Sequence, residues 1–456
     1  MAKFSFLEQV FSKAITMRSK ILFASIFSIL GLSSCQQEKP LVPPNIILIM
    51  ADDLGYGGIG CYGNEEINTP HLDAMAAQGI RFTDFHSNGA VCTPTRAALL
   101  TGRYQQRSGL EGVIYVRGET RQTGMDSTEV TIANLLRAEG YSTGIMGKWH
   151  LGYNETYNPV HQGFDEFYGY VSGNVDFHSH YDNAGIYDWW HNTDSLYEEG
   201  YTTDLITQHS INFIEEHQEE PFFLYVPHEA PHVPFQGRRD TAFRFPDRDF
   251  SYFGPVEDRH RAYKEMVEVM DEGIGGIIEK VRQLGLEENT FILFISDNGG
   301  LKGYGDNGSL RGAKTNLYEG GHRVPAIAYW KGKFMPSVSD ETCMSFDLLP
   351  TILSLCGIIP PTNHSFDGED ISEHLLEGKP ILERPLFWRY RGQKVVRKGD
   401  WKLMISEQDT ALYNLKEDLS ETNNLLEEQP EGKEQLLKHL EEWEKEVGAV
   451  DEQKTI

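Results

Sequence analysis

The chain has 456 residues, of which 41 are Lys or Arg and 68 are Asp or Glu, so its formal charge is −27. This charge excludes a general nucleic-acid-binding protein, because affinity for phosphate backbones comes from Lys and Arg. Hydrophobic residues make up 39% of the chain, which excludes a disordered protein, and 5 cysteines are too few for a disulfide scaffold. The length allows one large domain and a smaller one, and any anionic ligand must meet a local basic pocket.

The N-terminus has the pattern of an export signal. Basic residues in Met1–Lys20 precede the apolar run Ile21–Leu32, which is too short to cross a bilayer. The sequence Leu32-Ser33-Ser34-Cys35 resembles a bacterial lipobox. We therefore expect a signal peptide at 1–34, a lipid anchor on Cys35 that ties the protein to a membrane, and a tether over 35–44; an uncleaved anchor helix is the alternative. The expected location is the periplasm or the outer-membrane surface of a Gram-negative bacterium.

From Asn45 onward, apolar runs that favour strands alternate with helical patterns, which predicts an α/β fold with a largely parallel sheet between helices. The predicted strands are Ile46–Met50, Tyr141–Met146, Phe222–Val226 and Phe291–Ile295. The predicted amphipathic helices are Thr131–Gly140, Thr202–His217 and Arg261–Leu284. Reactive side chains follow each strand at once, in the segments Asp52-Asp53, Lys148-Trp149-His150, His228 to His232 and Asp297-Asn298. Since ligands bind beyond the carboxyl ends of strands in such sheets, these segments predict one shared site.

The character of the chain changes near Pro380. The predicted elements beyond it are the strands Leu386–Arg397 and Trp401–Ser406, joined by a turn at 398–400, and the charged helix Lys433–Val447. This pattern predicts a large domain at 45–379 and a C-terminal subdomain at 380–456, which contains a smaller antiparallel sheet and one helix. Cys343 and Cys356 are a candidate disulfide pair whose connectivity the sequence leaves open.

The most informative segment is Cys92-Thr93-Pro94-Thr95-Arg96, followed by Leu100-Thr101-Gly102-Arg103. Pro94 suits the first turn of a helix, and a helix N-terminus favours anions and thiolates. Taken alone, Cys92 would more often be a buried structural thiol. However, the Cys-X-Pro-X-Arg pattern resembles the signature of type I sulfatases, in the alkaline-phosphatase superfamily. Thr95 stands where that family usually has Ser or Ala.

The resemblance extends from about Asn45 to Leu426 in collinear order. It includes the blocks Gly147–Gly152, Ser296–Gly300, Lys314–Pro325 and Leu412–Leu415. It implies an alkaline-phosphatase-like fold, hydrolysis of sulfate esters, and oxidation of Cys92 to formylglycine by a maturase. The expected substrate is a sulfated carbohydrate, attacked at short or terminal units because the acidic protein should repel long polyanions.

The resemblance also implies the roles of the site residues. The catalytic set is Cys92, Arg96, Lys148, His150, His232 and Lys314. The two lysines would clamp sulfate oxygens, and His150 would assist the elimination of sulfate. His232, with His228 as the alternative, would protonate the leaving alcohol. The predicted metal ligands are Asp52, Asp53, Asp297 and Asn298. These side chains offer only oxygen atoms, which suits Ca²⁺ better than zinc, with Mg²⁺ as the alternative.

An aromatic-rich segment and several basic side chains are candidates for substrate binding. The segment Phe164–Tyr201 contains 11 aromatic residues among its 38. Aromatic rings stack on sugars, so this segment is a candidate glycan subsite, with packing of an irregular insertion as the alternative. The candidate substrate-binding residues are His178, His180, His228, His322 and Arg323. Capping of a strand by His228 and bracing of a turn by Arg323 are the structural alternatives.

Two other functions remain open beside the sulfatase. One is a phosphate monoester or diester hydrolase of the same superfamily, and the other is an inert glycan-binding lipoprotein in which Cys92 is unmodified. The blocks Gly147–Gly152 and Lys314–Pro325 favour a sulfatase over the other hydrolases. The single predicted metal site also argues against a two-metal phosphatase.

Overall fold

Residues 43–448, apart from 247, 249 and 363, are described by a computed structural model. The predicted signal peptide, the predicted lipid anchor at Cys35 and most of the tether lie outside these residues. No helix in the described part is long and apolar enough to span a membrane. Its four cysteines are free thiols, so Cys343 and Cys356 are not joined.

In the described residues, strands and helices are interspersed up to residue 377, and four strands and one helix follow. The strands are β1 (Asn45–Ala51), β2 (Ile80–Phe82), β3 (Phe85–His86), β4 (Ser142–Lys148), β5 (Glu166–Tyr170), β6 (Trp190–His191), β7 (Asp194–Ser195), β8 (Phe222–Pro227), β9 (Thr290–Ser296), β10 (Ala326–Tyr329), β11 (Ser337–Ser339), β12 (Cys343–Met344), β13 (Leu386–Tyr390), β14 (Gln393–Lys398), β15 (Trp401–Ile405) and β16 (Thr410–Asn414). The α-helices are α1 (Pro70–Gln78), α2 (Cys92–Thr101), α3 (Ile132–Ala138), α4 (Thr202–Glu216), α5 (Arg259–Gln283), α6 (Glu319–His322), α7 (Leu348–Leu355), α8 (Ser372–Glu377) and α9 (Pro430–Val447).

The large sheet has 10 strands in the order β11-β2-β10-β9-β1-β8-β4-β5-β6-β7. The strands β9, β1, β8, β4 and β5 at its centre are parallel, whereas β10 and β6 pair with their neighbours in antiparallel fashion. All four runs predicted as strands belong to this parallel centre. The expected mixed, mostly parallel sheet is therefore confirmed.

Both faces of the large sheet are buried, which explains why β1, β8 and β9 are apolar over most of their length. Side chains of β1 alternate between two hydrophobic cores: Ile46 and Leu48 enter one, and Ile47 and Ile49 enter the other. The helices α2, α3 and α7 contribute to the first core, and α1, α4 and α5 contribute to the second. The three amphipathic helices predicted from periodicity, now α3, α4 and α5, form within a few residues of their predicted bounds.

The smaller sheet has the order β13-β14-β15-β16 and is antiparallel throughout. Its core includes Leu436, Leu440 and Trp443 from α9, so the predicted antiparallel sheet with one helix is confirmed. The single strand predicted over Leu386–Arg397 is wrong, because the chain turns back at Arg391-Gly392. Both turn residues have positive φ, 47° and 72°, as a two-residue hairpin turn requires.

The small sheet packs against the loop that leads into α2. Its core includes Val91, which directly precedes α2, and Leu317, which lies shortly before α6. The indole nitrogen of Trp388 in β13 also donates a hydrogen bond to the carbonyl of Ser87 over 2.9 Å. Residues of the C-terminal region therefore lie beside Cys92, while the domain boundary at 379–380 stays a prediction.

Candidate active site

The carboxyl ends of four parallel strands meet at one edge of the large sheet. The polar residues found there are Asp52 and Asp53 after β1, Lys148 at the end of β4, His228 after β8, and Asp297 and Asn298 after β9. The pairing of β1 with both β8 and β9 brings these ends together. One direct contact is the backbone N–H of Asp53, which donates to Asp297 Oδ1 over 3.1 Å. The predicted convergence occurs, and the chemical roles of these residues stay predictions.

Cys92 is the first residue of α2 and is 2% exposed. Its Sγ lies 3.1 Å from Nδ1 of His150. The other ring nitrogen, Nε2, lies 2.9 Å from the carbonyl of Ile114, so Nε2 carries the hydrogen and Nδ1 is the acceptor that faces the sulfur. Burial and the positive charge of Lys148 hold the pKa of His150 well below its usual value, so the imidazole is neutral.

Arg96 lies one helical turn beyond Cys92 and is fully buried. One guanidinium nitrogen donates to the carbonyl of Lys148 over 3.0 Å, and another donates to Asp297 Oδ2 over 2.9 Å. Burial opposes the charge of Arg96, but nearby Tyr225 and the carboxylates of Asp297 and Asp52 raise its pKa above the ordinary value. Arg96 thus remains charged and ties α2 to two strand ends.

The carboxylates at this edge are crowded and buried. Ligand atoms of Asp52, Cys92 and Asp297 all lie within 4.8 Å of one another, as do those of Asp52, Asp53 and His232. Burial, together with the charge of Asp52, raises the pKa of Asp297 to about 6. This crowding of like charges is what a bound divalent cation would relieve.

The oxygen donors at this edge fit a hard divalent cation. Asp52 Oδ1 and Asn298 Oδ1 are buried and have no hydrogen-bond partner, although buried acceptors are nearly always satisfied. The amide nitrogen of Asn298 donates to Asp53 Oδ1 over 2.8 Å, which directs its oxygen away from that contact. Carboxylate and amide oxygens are the ligands that Ca²⁺ and Mg²⁺ prefer.

The two predicted sulfate-binding lysines lie against these carboxylates. Lys148 forms a fully buried ion pair with Asp52. Lys314 Nζ lies 2.7 Å from Asp53 Oδ2. Burial by itself would raise the pKa of Asp53, but Lys314 and His232 outweigh it, so this pKa falls to about 2. Both lysines therefore border the predicted cation site directly.

The two histidines after β8 differ in position. His232 lines the cavity above Cys92, with Nδ1 2.6 Å from the carbonyl of Val233 and Nε2 3.7 Å from Asp53 Oδ2. His228 is fully buried, does not line the cavity, and has no partner for either ring nitrogen. Burial lowers the pKa of His228 to about 3. No part of the His228 side chain is accessible in this structure, and its contact with substrate stays a prediction.

A cavity of about 190 Å³ opens above Cys92. Its floor contains Cys92, His150, His232 and Lys314. Its aromatic wall residues come from widely separated segments: Tyr115, Tyr153, Tyr252 and Tyr390. None of these tyrosines was singled out from the sequence, and Tyr390 and its neighbour Arg391 come from the small sheet, at the end of β13.

The aromatic-rich segment at 164–201 does not supply rings to this cavity. It contributes only Ser172, Gly173, Asn174 and Asn183. His180 is 1% exposed and stacks on Trp189 at 4.9 Å, while His178 bonds the carbonyl of Gly237 over 3.1 Å. Neither residue lines the cavity, so packing of the insertion is the interpretation that these contacts favour, and contact of His178 or His180 with substrate stays a prediction.

His322 and Arg323 also lie away from the cavity. His322 is fully buried, with Nδ1 2.9 Å from Nδ1 of His86 and its ring stacked on Trp388. Arg323 donates to the carbonyl of Thr83 and forms an ion pair with Asp84 at 3.2 Å. The two residues, at the end of α6 and directly after it, thus belong to a buried polar network, and their contact with substrate stays a prediction.

Comparison with known proteins gives a consistent family. Residues 44–358 match the family model described as Sulfatase. The arylsulfatase of Hemicentrotus pulcherrimus is 33% identical over 398 residues, which cover 83% of this chain and 70% of that protein. The N-acetylgalactosamine-6-sulfatase of Rattus norvegicus is 35% identical over 415 residues, which cover 84% of this chain and 75% of that protein.

Solved structures resemble the chain over most of its length. The crystal structure of Ps i-CgsB has a TM-score of 0.80 and 30% identity, and covers 88% of this chain and 92% of that chain. The same protein has also been solved in complex with k-i-k-neocarrahexaose. A phosphonate monoester hydrolase of Agrobacterium radiobacter has a TM-score of 0.65 at 17% identity, covering 89% of this chain and 96% of that one, and so shares the fold alone.

Proposed function

The chain belongs to the sulfatase family and is a sulfuric ester hydrolase; from this premise we propose that it removes sulfate from a carbohydrate by means of a formylglycine made from Cys92. One observation carries the proposal. The sulfur of Cys92 lies at the buried start of a helix, 3.1 Å from the acceptor nitrogen of His150 and within 4.8 Å of oxygens of Asp52 and Asp297.

Two groups would complete the site. A formylglycine at position 92 would supply an aldehyde hydrate as the nucleophile, and a divalent cation would stabilise charge on a sulfate oxygen. The unpartnered oxygens of Asp52 and Asn298 support a cation held by Asp52, Asp53, Asp297 and Asn298. We propose Ca²⁺, which accepts an irregular set of oxygen ligands more readily than Mg²⁺.

The chain's own side chains have distinct tasks in this proposal. Lys148 and Lys314 would stabilise the sulfate oxygens with their ammonium groups, since both are held at the site by aspartates. His150 would accept a proton from the group at position 92, because its Nδ1 is a free acceptor at 3.1 Å. His232, which lines the same cavity, would donate a proton to the leaving alcohol from Nε2, because its Nδ1 is engaged by the carbonyl of Val233.

The shape of the cavity supports a carbohydrate as the substrate. Its opening is bordered by Tyr115 and Tyr252, which are 42% and 45% exposed and can stack on a sugar ring. The names of the rat relative and of the ligand bound to Ps i-CgsB are consistent with this class. We propose that short or terminal saccharide units enter, because the surrounding protein is strongly acidic.

Two measurements on protein made in a host with a maturase test the proposal. Mass spectrometry of the peptide across position 92 should show an aldehyde in place of the thiol. Ion chromatography should then detect sulfate released from a panel of sulfated mono- and disaccharides. An intact thiol in every molecule, with saccharide binding but no release, would instead identify the inert glycan-binding protein.

A matched pair of aryl esters distinguishes the phosphatase alternative. The wild type is assayed with 4-nitrophenyl sulfate and 4-nitrophenyl phosphate, which share the same leaving group. A higher kcat/KM for sulfate is expected, because the oxygen ligands form a single cation site rather than a two-metal clamp. Faster release of phosphate would overturn the assignment.

We also propose that the protein is exported and anchored by lipid on Cys35. The support is the sequence of the N-terminal segment, with its short apolar run and lipobox-like Leu32–Cys35. In a Gram-negative host, the wild type should be found in the membrane fraction and incorporate labelled fatty acid. Cys35→Ala should lose the label, and label in that variant would contradict the anchor position.

A further inference from the structure

The mouth of the cavity carries two arginines without an acidic partner among the described residues. Arg391 lines the cavity, and its Nη2 donates to the hydroxyl of Tyr115 over 3.0 Å. Arg117 is adjacent in the chain to the lining residue Val116, and its Nη2 donates to the carbonyl of Asn183 over 3.3 Å. Both side chains are exposed, so each guanidinium keeps donors that are free to bind a ligand.

The backbone at Arg391 is unfavourable for a long side chain. Arg391 has φ 47° and Gly392 has φ 72°, in the two-residue turn between β13 and β14. Glycine, asparagine and aspartate are the residues that such a turn favours. An arginine at this position therefore indicates that the site needs this side chain for binding, although another residue would stabilise the turn better.

Arg391 and Arg117 differ from nearby arginines, which are paired with carboxylates. Arg389, two residues before Arg391, is held by Glu111 at 2.6 Å and by Glu444 at 3.4 Å. Arg397, in the next strand, is held by Asp84 at 2.6 Å. An unpaired guanidinium presents a planar set of donors that matches a carboxylate or a sulfate.

We propose that the substrate carries a second anionic group besides the scissile sulfate, and that Arg391 binds this group at the cavity mouth while Arg117 adds positive charge. This inference rests on the proposed function, which places the scissile sulfate at the cavity floor beside Cys92 and Lys314. Tyrosines line the same cavity, whose volume of about 190 Å³ leaves room for a sugar unit. The second anion is therefore the carboxylate of a uronic acid or a second sulfate ester on the same or the adjoining sugar.

Competition against a reporter that has no anionic group besides its scissile sulfate tests the inference. The formylglycine-containing enzyme hydrolyses 4-methylumbelliferyl sulfate, and three disaccharides of N-acetylgalactosamine 6-sulfate compete with it. The first carries a uronic acid, the second has that carboxylate reduced to an alcohol, and the third is the reduced form with an additional sulfate ester. The first and third competitors separate the two possible sources of the second anion.

The wild type should bind at least one of the doubly charged competitors about tenfold more tightly than the reduced one, as expected for one charge-assisted contact. In Arg391→Asn this preference should fall to within about twofold, while the melting temperature stays level or rises because Asn suits the turn. Arg391→Gln should lose the preference as well. Arg239→Gln removes a positive charge from an exposed turn outside the cavity and should keep it.

Three results would overturn the inference: equal inhibition constants in the wild type, a preference that persists in Arg391→Asn, or an equal loss in Arg239→Gln. Failure of the proposed function is a separate outcome. In that case the wild type, with formylglycine verified by mass, would not hydrolyse the reporter at all.

Discussion

Replacement of Lys402 by methionine should destabilise the protein strongly. Lys402 is fully buried in β15, where its Nζ lies 2.9 Å from Glu319 and 2.8 Å from Glu421, which are also fully buried. Methionine has a similar volume, so the change removes the charge and leaves little cavity. Glu319 keeps an ion pair with Arg323 at 3.2 Å. Glu421 is therefore the buried carboxylate that loses its positively charged partner.

The magnitude follows from the number of charges left without a partner. Removing one partner of a buried pair costs about 3–5 kcal/mol. At about 2.1 cal/mol/K per residue, about 400 folded residues have an unfolding entropy near 0.85 kcal/mol/K. The melting temperature should therefore fall by about 4–6 °C in Lys402→Met.

Scanning calorimetry at one fixed rate measures this shift, because a chain of this size can unfold irreversibly. Glu421→Gln in the Lys402→Met background should recover part of the loss, since it removes the unpaired carboxylate. Lys438→Met is the control. Lys438 is 76% exposed and its ion pair with Glu442 is long, at 3.9 Å, so little change in the melting temperature is expected.

KM for an aryl sulfate should be the same in Lys402→Met as in the wild type, since Lys402 does not line the cavity. An unchanged melting temperature together with a raised KM would refute the reasoning. That result would instead favour the prediction that His322 and Arg323, which share this network, bind substrate.

Three further predictions concern the site and its surroundings. Cys92→Ala should abolish sulfate release without lowering the melting temperature by more than a few degrees; measurable turnover would remove Cys92 from the mechanism. His232→Gln should reduce kcat/KM for a sulfated sugar by about 10²–10⁴ but affect 4-nitrophenyl sulfate far less, because nitrophenolate leaves without a proton; equal losses would contradict a proton donor. Burial favours the neutral form of Asp84, but Arg397 and Arg323 hold its pKa well below the usual value. The ionised Asp84 therefore stabilises the folded protein above the ordinary carboxylate pKa, and this stability is lost as pH falls below about 4. In Asp84→Asn the melting temperature, measured by calorimetry, should depend less on pH between pH 6 and 3. Parallel curves of melting temperature against pH for the variant and the wild type would contradict this role.

The central sheet and the position of the site were predictable from sequence because both depend on local patterns. A strand buried on both faces is apolar throughout, as Ile46–Met50 and Phe291–Ile295 are. The carboxyl ends of parallel strands must lie at the same edge. Hence the polar residues after each run converge, and the Asp53 N–H contacts Asp297 across 244 positions of sequence.

The outer part of the cavity was not predictable because it depends on tertiary packing. Arg391 belongs to a hairpin within a segment that was predicted as one strand, because Arg-Gly is a weaker turn signal than Asn-Gly. The aromatic residues at 164–201 stack largely on one another, as Tyr187 and Tyr197 do at 4.5 Å, so their density did not indicate a binding surface. His322 follows Lys314 closely in sequence, but α6 turns its side chain toward His86.

The charges of the site predict that sulfate binding requires the cation. The carboxylates of Asp52, Asp53 and Asp297 are offset by the side chains of Arg96, Lys148 and Lys314, and each lysine is engaged by an aspartate. Without a divalent cation the three negative and three positive charges cancel, so sulfate gains little electrostatic free energy by entering the pocket. A cation on the aspartates adds two positive charges and frees the lysines to bind sulfate.

Inorganic sulfate should therefore raise the melting temperature of Cys92→Ala in Ca²⁺ but not after chelation. Asp297→Ala should bind less metal by elemental analysis and lose the sulfate effect even in Ca²⁺, because one carboxylate of the cation set is missing. Arg238→Gln, at an exposed ion pair with Asp204, controls for general charge effects. An equal sulfate-induced shift with and without Ca²⁺ would mean that the lysines bind sulfate unaided, and the −27 chain would then hold its positive pocket without a metal.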